Sequence, residues 1–138
     1  MSKDSTALAM HDRIRFIDHQ GNKILLLDFS NCPANEVEKI ARATPDHIMV
    51  QPRGSVLVLS DFTGATFDRD ALRTMKESAV FDKPFIKKSA LIGTENLPRE
   101  FYEELKGFSR RELPIFKTRE EALDWLAEDS AGRRPAIT

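Results

Sequence analysis

The sequence holds one cysteine, one tryptophan and one tyrosine. A lone cysteine, Cys32, closes no internal disulfide, and such usage fits a reducing compartment. We therefore expect a cytoplasmic protein. Its three histidines, His11, His19 and His47, are scattered, so with that one cysteine no zinc-ligand spacing exists. Neither common phosphate-loop spacing occurs among the six glycines. No Gly-x-Ser-x-Gly elbow and no nucleophile–base pair is visible. These absences predict no cofactor and no metal, and point away from an enzyme. The formal net charge of −1 gives no general attraction to nucleic acid or to an anionic membrane. The apolar run Ile24 to Leu27 is strand-sized and far short of a membrane span. Met1 to Met10 lacks the basic start and apolar stretch of a signal peptide.

What is present is enough for one soluble domain with a sizeable core at 138 residues. Its centre is Ser55 to Phe67. Val56 to Leu59 are continuously apolar, as in a strand covered on both faces. Asp61 breaks the run and Thr63-Gly64 supplies turn chemistry. Open α/β sheets carry their sites at the carboxyl ends of such strands. Upstream, Ile14 to Asp18 alternates like an edge strand, and Gln20-Gly21-Asn22 turns it into a second strand, Lys23 to Phe29. That strand closes Leu-Asp-Phe-Ser and the central one closes Ser-Asp-Phe-Thr, which implies one local solution used twice.

Helical spacing follows each strand. Val37, Ile40, Ala41 and Thr44 share a face. Pro45 either kinks that helix or begins a new turn capped by Thr44. Leu72, Met75 and Ala79 mark a second helix, capped by Asp68 or Thr66 and closed by Asp82-Lys83-Pro84. Phe85 to Ile92 is a strand, with Lys87-Lys88 near its start. Phe101, Leu105 and Phe108 define a third helix, and Leu113 to Phe116 a short last strand. Thr118 with Glu121 forms a capping box before the last helix. The order β-β-α-β-α-β-α-β-α implies a mostly parallel five-stranded sheet with an N-terminal antiparallel hairpin strand. Residues 11–127 form the expected single domain, between a flexible N-terminus at 1–10 and a flexible tail at 128–138.

This pattern resembles the SpoIIAA-like branch of the STAS superfamily, whose fold neighbourhood includes SEC14-type lipid-transfer domains. Gly21 to Ser30, Gly54 to Gly64, Lys87 to Gly93, and Phe116, Thr118, Ala122, Trp125 and Leu126 carry the resemblance. It implies an anti-sigma-factor-antagonist turn, in which Asp is followed by a phosphorylatable Ser. Here Asp61 and Gly64 match that turn, Phe62 fills the acceptor position, and Thr63 is the remaining candidate acceptor.

The candidate binding residues are therefore Asp61, Phe62, Thr63, Gly64 and Phe67, with Asp28 and Lys88. For Lys88 the default is a side chain snorkelling to solvent, and the sharper option is a meeting with Asp28 or Asp61 at the carboxyl edge of the sheet. The resemblance implies a regulatory module that docks an unidentified protein partner through this turn and the helix after it. A second reading, by analogy with SEC14-type domains, is a carrier of a small apolar ligand or lipid, which needs an internal cavity. A homodimer is a further expectation, since an exposed sheet edge leaves apolar surface to cover.

Overall fold

The computed structural model describes residues 12–128. The expected loose segment at 1–10, and all but the first residue of the one at 128–138, lie outside that range. Strand β1 (Ile14–His19) and strand β2 (Asn22–Asp28) pair antiparallel, with His19 opposite Asn22. Only Gln20 and Gly21 lie between, both at positive φ, 52° and 80°. That is the two-residue turn whose twist suits a hairpin. Helix α1 (Ala34–Ile48), strand β3 (Val56–Asp61), helix α2 (Arg69–Asp82), strand β4 (Ile86–Ile92), helix α3 (Arg99–Ser109), strand β5 (Ile115–Phe116) and helix α4 (Arg119–Ala127) follow.

The sheet runs β1-β2-β3-β4-β5, with every pair after the hairpin parallel. This is the expected architecture, with the antiparallel strand on the edge. Residues 24–27 and 56–61 are buried throughout, as a strand covered on both faces requires. Alternation sends Leu25, Leu27, Val56 and Val58 to one core with α1, α2 and α3. It sends Ile24, Leu26, Leu57 and Leu59 to a second core closed by Ala122 and Leu126 of α4. Among the described residues no helix is long and apolar enough to cross a membrane.

Pro45 does not start a new turn. Helix α1 runs through it to Ile48. Proline has no N–H to donate to the Ala41 carbonyl one turn back. That carbonyl is buried, and Ser78 of α2 donates its hydroxyl to it at 2.5 Å. Ser78 is itself buried in this position. The missing bond of one helix is thus replaced by a side chain of its neighbour. The two helix starts behave as their sequences predict. Asp68 accepts the Ala71 amide at 2.8 Å, and Thr118 accepts the Glu121 amide at 3.1 Å.

Candidate functional site

Asp28 and Asp61 sit opposite each other in the β2–β3 ladder, at the carboxyl edge of the sheet. Each makes the same turn. The Ser30 amide donates to Asp28 Oδ1 at 3.0 Å, and the Thr63 amide donates to Asp61 Oδ1 at 2.9 Å. A short carboxylate side chain readily bonds the backbone two residues on. The Ser30 hydroxyl adds a bond to Asp28 Oδ1 at 2.5 Å.

Two like charges this close need a cation. Arg119, the first residue of α4, supplies it. Its Nε donates to Asp61 Oδ2 at 2.8 Å, and its other guanidinium nitrogen lies 3.3 Å from Asp28 Oδ2. Arg13 approaches Asp28 from the far side at 3.5 Å and donates to the Ser30 carbonyl at 2.7 Å. Burial works against the Asp28 carboxylate. The Ser30 hydroxyl and amide, with Arg119 and Arg13, outweigh it and hold the carboxyl below its ordinary range. Burial likewise opposes the Arg119 charge, yet Asp61 and Asp28 raise its pKa.

Lys88 does not join this pair, so the sharper of its two options fails. It lies on the same sheet face as Asp61 but pairs with Leu57, four residues earlier in β3. Four residues of strand span roughly 13 Å. Lys88 instead donates to the Trp125 carbonyl at 2.5 Å and the Glu128 carbonyl at 3.3 Å, with its ammonium 4.2 Å from the centre of the Trp125 ring. There it complements the negative C-terminal end of α4. Arg119 takes the role that the sharper option gave to Lys88. The sequence did contain a signal for it. The Thr118 capping box places residue 119 at a helix start immediately after β5, level with the ends of β3 and β4.

The turn itself is firmly held. Phe62 is 3 % exposed, stacks on Phe29 at 4.8 Å and meets Phe67 edge-on at 5.5 Å. The position matching the antagonists' phospho-acceptor is therefore a core plug. Thr63 is exposed. Gly64 (φ +71°) and Gly93 (φ +68°) close around it. A Cβ on Gly64 would come within 2.2 Å of Asn31 Oδ1, and one on Gly93 within 2.5 Å of the Thr63 Cα. Asn96 adds a bond to the Ala65 carbonyl at 2.9 Å.

A second feature lies on the other side of the sheet plane. A cavity of about 150 Å³ opens between the sheet and helices α1, α2 and α3. Val58, Phe62, Met75, Leu91 and Leu105 give it apolar walls, and Ser60 and Ser89 stand on its strand floor. Its exposed lining residues, Phe108, Arg111 and Glu112, put the mouth by the C-terminal ends of α2 and α3. Arg111 spans that mouth by donating to the Lys83 carbonyl at 3.2 Å.

Asp82, the last residue of α2, also lines the cavity. Its Oδ1 is buried with no hydrogen-bond partner, alone in this respect among the described side chains. Burial pushes its carboxyl up to about 7. In sequence, Asp82 reads only as part of a helix stop. An acidic side chain in the last turn of a helix opposes the helix dipole, and that was the available signal. Cys32, by contrast, is buried and its thiol is pushed up to about 11, chiefly by burial.

The sheet order, the hairpin and the distribution of helices define the SpoIIAA-like α/β fold. The crystal structure of an uncharacterized protein from the DUF3478 family of Shewanella loihica PV-4, described as having that fold, superposes with a TM-score of 0.65 at 18 % identity. The match covers 83 % of this chain and 92 % of that one. No protein-family model and no curated protein matches the chain.

Proposed function

We propose that the chain is a binding domain for a small apolar ligand, seated in the cavity between the sheet and α1–α3. One observation carries the reading. The cavity has apolar walls and contains a buried carboxyl group short of a partner. Buried polar groups in folded proteins are nearly always paired, and an exception is met by strain, a functional role, or a bound water, ion or ligand. An apolar pocket with a few convergent polar groups is the usual form of a small-molecule site. The volume favours a compact molecule. Engineered apolar cavities of about 150 Å³ stay dry and take up benzene, whereas pockets for larger ligands run from about 300 Å³ upward. A long acyl chain of the kind SEC14-type domains carry exceeds this space.

The test is a cavity-filling variant. Ser89→Leu should abolish binding of small aromatic probes, read by ligand-observed NMR, while the protein keeps its fold by circular dichroism. Probe signals unchanged between wild type and this variant would remove the cavity as the site.

A second reading, docking of a protein partner, is favoured by the exposed and rigid Thr63 turn and by Val80 and Phe81 on α2, 54 % and 55 % exposed. Here Asp61, Gly64 and Phe67 shape the docking loop, and phosphorylation of Thr63 would change its charge. A pull-down with wild type beside Thr63→Glu separates the two. A stoichiometric partner lost from the variant supports docking. Retention by both baits leaves docking without the Thr63 switch. Self-association through α2 would show as a dimer in sedimentation that Phe81→Asp disperses.

A further inference from the structure

Most of the cavity wall is hydrocarbon, and a charged ligand would lose its hydration there without replacement. A purely hydrocarbon ligand would leave the Asp82 carboxyl as it is. What the site offers a ligand is one buried acceptor, Asp82 Oδ1, to which no protein group donates. We propose that the cavity takes a neutral aromatic molecule of about one ring carrying a single O–H or N–H group, and that the Asp82 carboxyl accepts its hydrogen bond. This rests on reading the cavity as the binding site.

The size follows from the volume of about 150 Å³. The aromatic character follows from the walls, where Phe62 and Phe108 present rings and Met75 a thioether, all good partners for a ring. The donor follows from Asp82, whose Oδ1 has no partner. Rotation about the last side-chain bond of an aspartate is soft, so either oxygen can turn to the ligand. The charged residues around the cavity argue against ionic ligands of either sign. Lys83 and Arg111 disfavour an ammonium near Asp82, and Asp82 with Glu112 disfavours a carboxylate. Ser60 and Ser89 lie on the strand floor and serve as secondary contacts for a substituted ring.

The experiment titrates the purified full chain at pH 7.5 with phenol, benzene and benzoate, followed by backbone-amide NMR at Val58, Leu91 and Leu105. Phenol should bind about tenfold more tightly than benzene, with benzoate weakest, and all shifts should centre on those residues. Asp82→Leu should bring phenol and benzene to parity. Equal binding of phenol and benzene by the wild type overturns the inference and leaves the cavity reading standing. Benzoate binding tightest overturns it in favour of Lys83 and Arg111. Shifts at none of the three residues overturn both. Should Asp82→Leu fail to fold, the ¹³C resonance of the Asp82 carboxyl in the wild type decides. It should move with phenol and not with benzene, and an unmoved signal overturns the anchor. A phenol preference that survives in a folded Asp82→Leu places the anchor at Ser60 or Ser89 instead.

Discussion

The carboxyl edge of the sheet and the C-terminal ends of the helices handle charge in opposite ways. At the edge, Asp28 and Asp61 each have an amide, and both share Arg119. At the far ends of α2 and α3, one carboxyl sits in an apolar cavity with an oxygen unbonded. The large exposed apolar side chains divide the same way. Met49, Val50, Val80, Phe81 and Phe108 lie in the last turn of α1, α2 or α3 or just past it, and only Ile115 lies elsewhere among the described residues. A charged cluster at the customary site edge therefore need not be a reactive one. Here it stiffens a turn, and the unmet bonding capacity lies elsewhere.

The largest loss at a single pH should come from breaking the satisfied end. Arg119→Ala leaves Asp61, 6 % exposed, without its cation beside an Asp28 that keeps only Arg13, and should cost about 3 kcal/mol in urea denaturation at pH 7. A loss below about 1 kcal/mol would reduce the network to a surface ion pair. Next comes the cavity end. The Asp82 carboxyl is raised from 3.8 to about 7. The folded state therefore holds a proton that the unfolded state has released between those values. Stability from this group is full below about pH 4 and falls as pH rises towards 7. Asp82→Asn should remove a fall on the order of 4 kcal/mol across that window, with Lys83, Arg111 and Glu112 as the other charges on the cavity. Parallel pH profiles for variant and wild type would sink the assignment.

Two smaller effects sharpen the contrast. Ser78→Ala strands the Ala41 carbonyl left without a donor by Pro45, and should cost about 1–2 kcal/mol by thermal denaturation. Replacing Pro45 with Ala in the same chain restores an N–H and should recover part of that loss. The smallest effect is at Asp28, where the sign is the reverse of that at Asp82. Its lowered pKa contributes stability present above about pH 4 and lost as pH falls through the folded value. Asp28→Asn should flatten the acid limb there, and an unchanged limb would show that Ser30 and Arg13 do not favour its charged form.

Much of this was legible. Period-two and period-3.6 patterns place the five strands and four α-helices of the described residues, and the repeated Asp-Phe-hydroxyl ending foretells the paired turns at Asp28 and Asp61. The limits are long-range ones. Arg119 lies 58 residues from Asp61 in sequence, and no local pattern states that a helix start will reach two earlier strand ends. Lys88 looked nearer, but only the register showed it to be four residues short. Ser78 falls on the apolar stripe of α2 beside Met75, and its purpose depends on a proline in another helix. Asp82 reads locally as a helix stop, because the cavity that isolates it is built from three helices and three strands.

The Ser78 hydroxyl seated on the Ala41 carbonyl has one more consequence. It acts as a peg that fixes how far α1 can slide along α2, because a shift of one turn would withdraw the donor and expose the gap left by Pro45 to nothing but hydrocarbon. The two helices then form a rigid plate. Across the mouth, α3 is tied to α2 at the surface by Lys76–Glu104 and to the cavity rim by Arg111 on the Lys83 carbonyl. Under the proposed ligand reading, a molecule using this mouth passes the Arg111–Lys83 contact, which sits on the rim where the ends of α2 and α3 meet.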